Sequence, residues 1–270
     1  MPPVEVLLEI LPAAAVSGGV LLAAWLFKWR TRAWPAAVAV GAGYATSHAL
    51  IRGAPEALPA DATQLLFHFA LAGALVGVVE DRLPVAARWG ARAVLAGIVP
   101  WLLLRGLAEH TWESTTEAAL WYAGLGLGLF LVWSVLEWRA RRLEGVAQPL
   151  VFCLVAGGGA VALAAGRSGV LGQMSGALAA ALGPLVLLAL LMPKRTARGA
   201  IPVFVLLLAA LAMSGHFFAE LPAPSALLVF VAPLAAVRRH WLGAAVALVL
   251  VGAAIYLSHA ANPPDPYGGY

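Results

Sequence analysis

The chain has 270 residues, 62% of them hydrophobic and only 11% charged, with a mean hydropathy of +0.89. A soluble domain carries about 25% charged residues, so the composition excludes a soluble globular fold, a disordered chain and a nucleic-acid-binding domain. The net charge of +4 comes from basic residues set in short clusters between apolar runs, which marks membrane orientation rather than a nucleic-acid partner.

A membrane-crossing helix needs about 20 mostly apolar residues. Ten candidate runs follow one another: 4–27, 34–52, 62–79, 89–108, 117–137, 147–166, 169–192, 200–219, 223–237 and 241–260. The expected fold class is therefore all-α, a polytopic transmembrane helical bundle with short loops. Residues 1–260 form one integral membrane domain, and 261–270, rich in Pro and Gly, form a flexible extracytoplasmic tail. The ninth run is short, so a tilted or re-entrant path is an alternative to a full crossing. The first run has no basic residue before it, and Glu5 and Glu9 occupy its start. That pattern predicts a retained helix with its N-terminus outside.

Alternate loops carry Lys28, Arg30 and Arg32; Arg82, Arg88 and Arg92; Arg139, Arg141 and Arg142; Lys194, Arg195 and Arg198; and Arg238 and Arg239. The opposite loops hold Glu56, Asp61, Glu109, Glu113, Glu117, Glu220 and Asp265. The positive-inside rule makes the arginine-bearing end cytoplasmic and, with ten spans, puts both termini outside. The Arg- and Ala-rich, Lys-poor composition points to a GC-rich bacterial genome, hence a bacterial inner membrane.

Small-residue pairs Gly73 and Gly77, Gly124 and Gly128, and Gly172 and Gly176 are spaced for close helix contact. Pro12, Pro100, Pro184 and Pro233 fall within spans, where each removes a backbone donor and should kink or break its helix.

Five of the six histidines lie towards the outer side: His48, His68, His110, His216 and His259. Glu9, Arg52, Arg105, Glu109 and Glu220 lie at similar depth. Ionisable groups within spans are costly and raise a functional hypothesis by default. The candidates for a substrate or proton pathway are Glu9, His48, Arg52, His68, Arg105, His216, Glu220 and His259. His48, His68, His216 and His259 are also candidate metal ligands, given the affinity of imidazole for Zn²⁺. His48, His216 and His259 stand at C-terminal helix ends, where they can bond free carbonyls. His68 stands near a helix N-terminus, where the dipole disfavours a cation, so it needs another partner. The middle of the spans offers little beyond Ser17, Ser134, Gln173 and Ser175. Glu80, Asp81 and Arg82 read as a solvated helix end.

The single cysteine, Cys153, leaves no intrachain disulfide and no Cys-ligated iron–sulfur cluster. No phosphate-binding loop or dinucleotide fingerprint is present, so the sequence requires no cofactor. Gly166-Arg167-Ser168-Gly169 resembles the G-x-S-G nucleophile motif of rhomboid intramembrane proteases. The span count and the placement of histidines depart from that family, and a tight two-helix turn accounts for the same residues.

The functional expectation is a secondary transporter or permease for a small solute, entered through the outer His/Glu/Arg cluster. The alternatives are a non-catalytic membrane subunit of a larger complex and a membrane enzyme binding metal or haem. The expected partners are the lipid bilayer, a small-molecule solute and other membrane subunits, with no nucleic acid.

Overall fold

A computed structural model describes residues 3–27, 29, 33–56, 61–112, 114–143, 145–191, 198–237 and 239–263. Among them lie ten α-helices and no strand: α1 (Pro3–Leu26), α2 (Trp34–Arg52), α3 (Ala62–Val79), α4 (Val85–His110), α5 (Thr115–Ala140), α6 (Ala147–Ala165), α7 (Gly169–Leu191), α8 (Ile201–Phe218), α9 (Ala223–Val231) and α10 (His240–Ala261). Each coincides with one of the ten predicted runs. Eight are long and apolar enough to cross a membrane. The other two are α2, diluted by Gly, Thr, Ser and His, and the short α9. Lys28, Arg30, Arg32, Glu113, Lys194, Arg195 and Arg238, and residues 264–270 of the predicted tail, lie outside the described residues.

The core is organised around α8. Its residues Ile201 through Gly215 are all buried, and it packs against α2, α3, α4, α5, α7 and α9. A helix that is apolar on every side belongs in the interior. Around it, α1 lies on α2 and α7, α6 lies on α7 and α10, and α4 pairs with α5. The starts of two helices follow from local chemistry. Asp61 accepts from the Thr63 N–H to cap α3, and Ser114 accepts from the Glu117 N–H to cap α5.

Three buried serines tie helices together. Ser17 Oγ donates to the Ala181 carbonyl of α7, Ser175 Oγ to the Ala156 carbonyl of α6, and Ser258 Oγ to the Ala162 carbonyl of α6. With no water to compete, such bonds help hold helices whose apolar faces gain nothing over lipid. Of the predicted glycine pairs, Gly73 and Gly77 meet the backbone around Val203 and Gly199, and Gly172 meets Ala160. Gly124 and Gly128 depart from the expectation. Gly124 faces open space and Gly128 touches only the far end of Phe230, because that face of α5 looks away from its neighbours. Pro12, Pro100 and Pro184 are carried inside helices, whereas Pro233 falls in a 3-10 turn, Ala232–Ala235, that continues α9.

The path of the ninth segment follows from its end contacts. Before α9, Glu220 pairs with Arg167 at 3.8 Å, and its carbonyl accepts from Asn262 at the end of α10. After α9, the Leu234 and Ala236 carbonyls accept from Arg139 at the end of α5. The segment therefore runs from one end of the bundle to the other.

Candidate functional site: a polar cavity on the central helix

The C-terminal ends of α2, α4 and α8 and the N-terminal ends of α3 and α7 meet at the histidine-bearing end. Between α3, α4, α7 and α8 they leave a cavity of about 730 Å³. Its rim carries Asp61, Arg105, Glu109 and His110, and Ser168 caps α7 beside it by accepting from the Leu171 N–H. Its wall includes Ser214 of α8, a side chain 1% exposed whose hydroxyl has no hydrogen-bond partner among the described residues. Buried polar groups are normally satisfied, so this shielded hydroxyl behind the cavity wall is an exception.

The rim on the α2–α3 side is rigidly held. Arg52 pairs with Asp61, which also accepts from both the backbone N–H and the hydroxyl of Thr63. Partial burial works to raise the Asp61 pKa, but the Thr63 bonds and the Arg52 charge outweigh it and hold the carboxyl below its ordinary range. His48, fully buried, reaches the Thr63 carbonyl through Nε2 at 2.9 Å. The histidine thus bonds the neighbouring helix rather than the free carbonyls at its own helix end. His68 lies next to it, both rings touching Phe67. The partner that His68 required is the Gln64 carbonyl, 3.3 Å from Nδ1 and one turn back on α3. Tyr44 Oη, His48 Nδ1 and Gln64 Oε1 in the same α2–α3 region are shielded polar atoms without partners among the described residues.

The predicted site residues therefore divide. Arg105 lines the cavity. Arg52, His48 and His68 back its rim through Asp61, Thr63 and α3. The other four lie elsewhere. Glu9 is half-buried on α1, with Oε2 shielded and without a partner among the described residues. His216 faces a separate apolar groove and contacts the Leu221 carbonyl at 3.0 Å. Glu220 is paired with Arg167 at the surface, and His259 is exposed on α10. Among the described residues no three His, Cys, Asp or Glu side chains are grouped to hold a metal ion. In the G-x-S-G run, Arg167 takes the left-handed conformation at φ 64° and Ser168 caps the next helix, a tight turn between α6 and α7.

The other end corrects the sequence expectation. Glu80 is not a solvated helix end but is 5% exposed, and it accepts from Arg92, itself 4% exposed. Arg92 lies 3.9 Å from Glu137, which is bonded in turn by Arg198 at 2.5 Å. The Arg92 guanidinium also lies 5.6 Å from the Trp89 ring and 6.0 Å from the Trp133 ring. The arginine-bearing half of the bundle is therefore not pure hydrocarbon. Two carboxylates and two guanidiniums tie α3, α4, α5 and the start of α8 together there. Burial, then the nearby Glu137 charge, raises the Glu80 pKa despite Arg92. In the sequence Arg92 and Arg198 read as members of basic loop clusters and Glu80 as part of a solvated helix end. The readable signal was Glu137, a carboxylate that closes the predicted run 117–137 just before the arginines.

This architecture defines a polytopic, multi-pass α-helical membrane protein. No protein-family model, curated protein or solved structure matches the chain.

Proposed function

We propose that the chain is a secondary transporter or permease, with the cavity at the histidine-bearing end as the entrance for a small polar solute. The observation that carries this reading is the cavity of about 730 Å³ set against the bundle's central helix. It is rimmed by both signs of charge, and Ser214 of α8 lies in its wall with a shielded hydroxyl that is unsatisfied among the described residues. Ligand sites typically combine apolar walls with a few convergent polar groups in just this way. Arg105 supplies a cation and Glu109 an anion at the mouth, while Arg52 and His48 position Asp61 and Thr63 on its edge. At the opposite end the Glu80–Arg92–Glu137–Arg198 network closes the bundle. Ion pairs that can break and re-form at that end are compatible with helices rearranging to pass a solute. The cellular setting that accompanies this reading is a bacterial inner membrane, with the arginine-bearing end in the cytoplasm.

The test is solute uptake into vesicles reconstituted with the full chain, screened across small amino, carboxylic and sugar solutes. Ser214→Ala and Arg105→Gln should each lower uptake of the active solute about tenfold, the loss expected for one or two polar contacts. Unchanged uptake in both variants at equal protein density would remove the cavity from the route.

A further inference from the structure

The ion-pair network at the arginine-bearing end holds one acceptor more than it uses. Glu80 meets Arg92 through Oε1, with Arg92 Nε donating at 2.7 Å. Glu137 takes Arg198 on its own Oε1, and the Arg92 guanidinium stands 3.9 Å from that same oxygen. Glu137 is 2% exposed, and its Oε2 is shielded and without a hydrogen-bond partner among the described residues. A bare carboxylate oxygen so fully buried is costly. The carboxylate that carries it already lies beside a guanidinium committed to another residue.

We propose that Glu80 is a proton-binding site and Arg92 the part that moves: when Glu80 takes a proton from water at this end, Arg92 leaves it for the bare Oε2 of Glu137, and when the proton departs Arg92 returns. The proton converts the Glu80 carboxylate to a neutral carboxyl, and no other bond is made or broken covalently. The Glu80–Arg92 pair ties the end of α3 to α4, whereas the exchanged pair ties α4 to α5. Proton uptake therefore releases α3, which packs on the central α8, from α4. On the transporter reading, on which the coupling role rests, the proton is then the ion that works the end opposite the cavity.

Three features support the exchange. The first is reach. Trp133 and Glu137 are one turn apart on α5, and Arg92 lies 6.0 Å from the Trp133 ring and 5.6 Å from the Trp89 ring of its own helix. The cation is already seated between the two indoles, so a turn of its side chain carries it from one carboxylate to the other. The second is charge. Among the described residues the charged groups facing Glu80 are Arg92 from α4, Glu137 from α5 and Arg198 from the turn that leads into α8. Arg82, on the same turn as Glu80, is exposed, and Arg88 and Arg141 line the hollow outside Glu137. With Glu80 neutral, Glu137 offers two oxygens to two guanidiniums, Oε1 to Arg198 and Oε2 to Arg92. The third is the sign of the linkage. Burial and then the Glu137 charge raise the Glu80 pKa, while Arg92 works to lower it. Moving Arg92 away leaves Glu80 binding its proton more tightly, so acid favours the exchanged state.

The test reads the separation of α3 and α4 in the full chain in vesicles. Spin labels go on Leu75→Cys of α3 and Gly90→Cys of α4, in a Cys153→Ser background. Leu75 is 65% exposed, and a Cβ at Gly90 would meet nothing within 4 Å. Distances from pulsed electron spin resonance should fall into two populations whose ratio changes by up to about tenfold per pH unit, the slope for one proton. Glu80→Gln, which resembles the protonated carboxyl, should hold the acid-side population at every pH. Glu137→Gln keeps one oxygen for Arg198 and puts a donor where the bare one stands, so it should hold the other population. A wild-type distribution indifferent to pH, or either variant titrating like the wild type, overturns the proposal. Should Glu80→Gln fail to fold, Glu137→Gln decides alone. For the coupling role, uptake of the solute found active in the vesicle screen should follow an imposed proton gradient in the wild type and ignore it in Glu80→Gln. Wild-type uptake indifferent to the gradient removes the proton as driving ion and leaves the cavity's role standing. Uptake of no solute at all fails the transporter reading instead, and the distance titration then decides the exchange by itself.

Discussion

Asp61 and Glu80 cap opposite ends of α3, and their surroundings move them in opposite directions. Asp61 has a lowered pKa, so its contribution to stability is present above the ordinary aspartate value and is lost as pH falls through the lowered native value. Glu80 has a raised pKa, so the folded state holds its proton more tightly than the unfolded chain. Its contribution is present below the ordinary glutamate value and is lost as pH rises through the raised native value. Thermal unfolding of the detergent-solubilised chain should therefore show an acid-side decline that Asp61→Asn flattens. A separate decline above the ordinary glutamate value should be flattened by Glu80→Gln. Persistence of that second decline in Glu80→Gln would assign it to another group. The residue scale is also where sequence reading was weakest. Arg105 was found because an arginine deep on the acidic side stands out. Ser214 was not, because a serine in an apolar span more often ties helices, as Ser17, Ser175 and Ser258 do. Arg92 looked like its neighbours in the basic loops. Which of several arginines turns inward depends on the rotation of α4 against α5, and spacing does not encode that rotation.

Between elements, the closest approaches are set by side chains that are missing. A Cβ at Gly73 would lie 2.6 Å from the Val203 Cα and 2.8 Å from its backbone nitrogen, so α3 and α8 can pack as they do only with glycine there. A Cβ at Gly124 would meet nothing within 4 Å. Gly73→Val should therefore destabilise the bundle by about 1–3 kcal/mol, as overpacking does, with a lower unfolding midpoint. Gly124→Val should leave the midpoint near the wild-type value. Equal midpoints would mean that α3 and α8 part without cost. The two glycine pairs have the same four-residue spacing and opposite fates. Helix existence was legible because the apolar runs mark it, and the ten runs reappear as ten helices; their lengths were less so, since α4 and α5 each reach 26 residues and α9 only nine. Contact partners were not, because an apolar surface looks alike whether it meets lipid or another helix.

At the scale of the whole molecule, the bundle has two unlike ends and one short wall. The continuously buried α8 is its axis, the cavity opens at one end, and the ion-pair network fastens the other. The short wall is the ninth segment, nine α-helical residues and a four-residue 3-10 turn. At 1.5 and 2.0 Å per residue these cover roughly 20 Å, against a hydrocarbon thickness of about 30 Å. Its neighbour α10 has 22 residues and no such deficit. Lipids beside that wall must shorten or tilt to avoid baring the polar ends of the segment, so the annulus is thinnest on one side of the protein. Such mismatch costs fractions of a kcal/mol per ångström, enough to bias where the chain resides. In vesicles of graded acyl length it should concentrate in, and unfold at higher temperature in, the shorter-chain bilayers. An optimum in the thickest bilayers would contradict that reading.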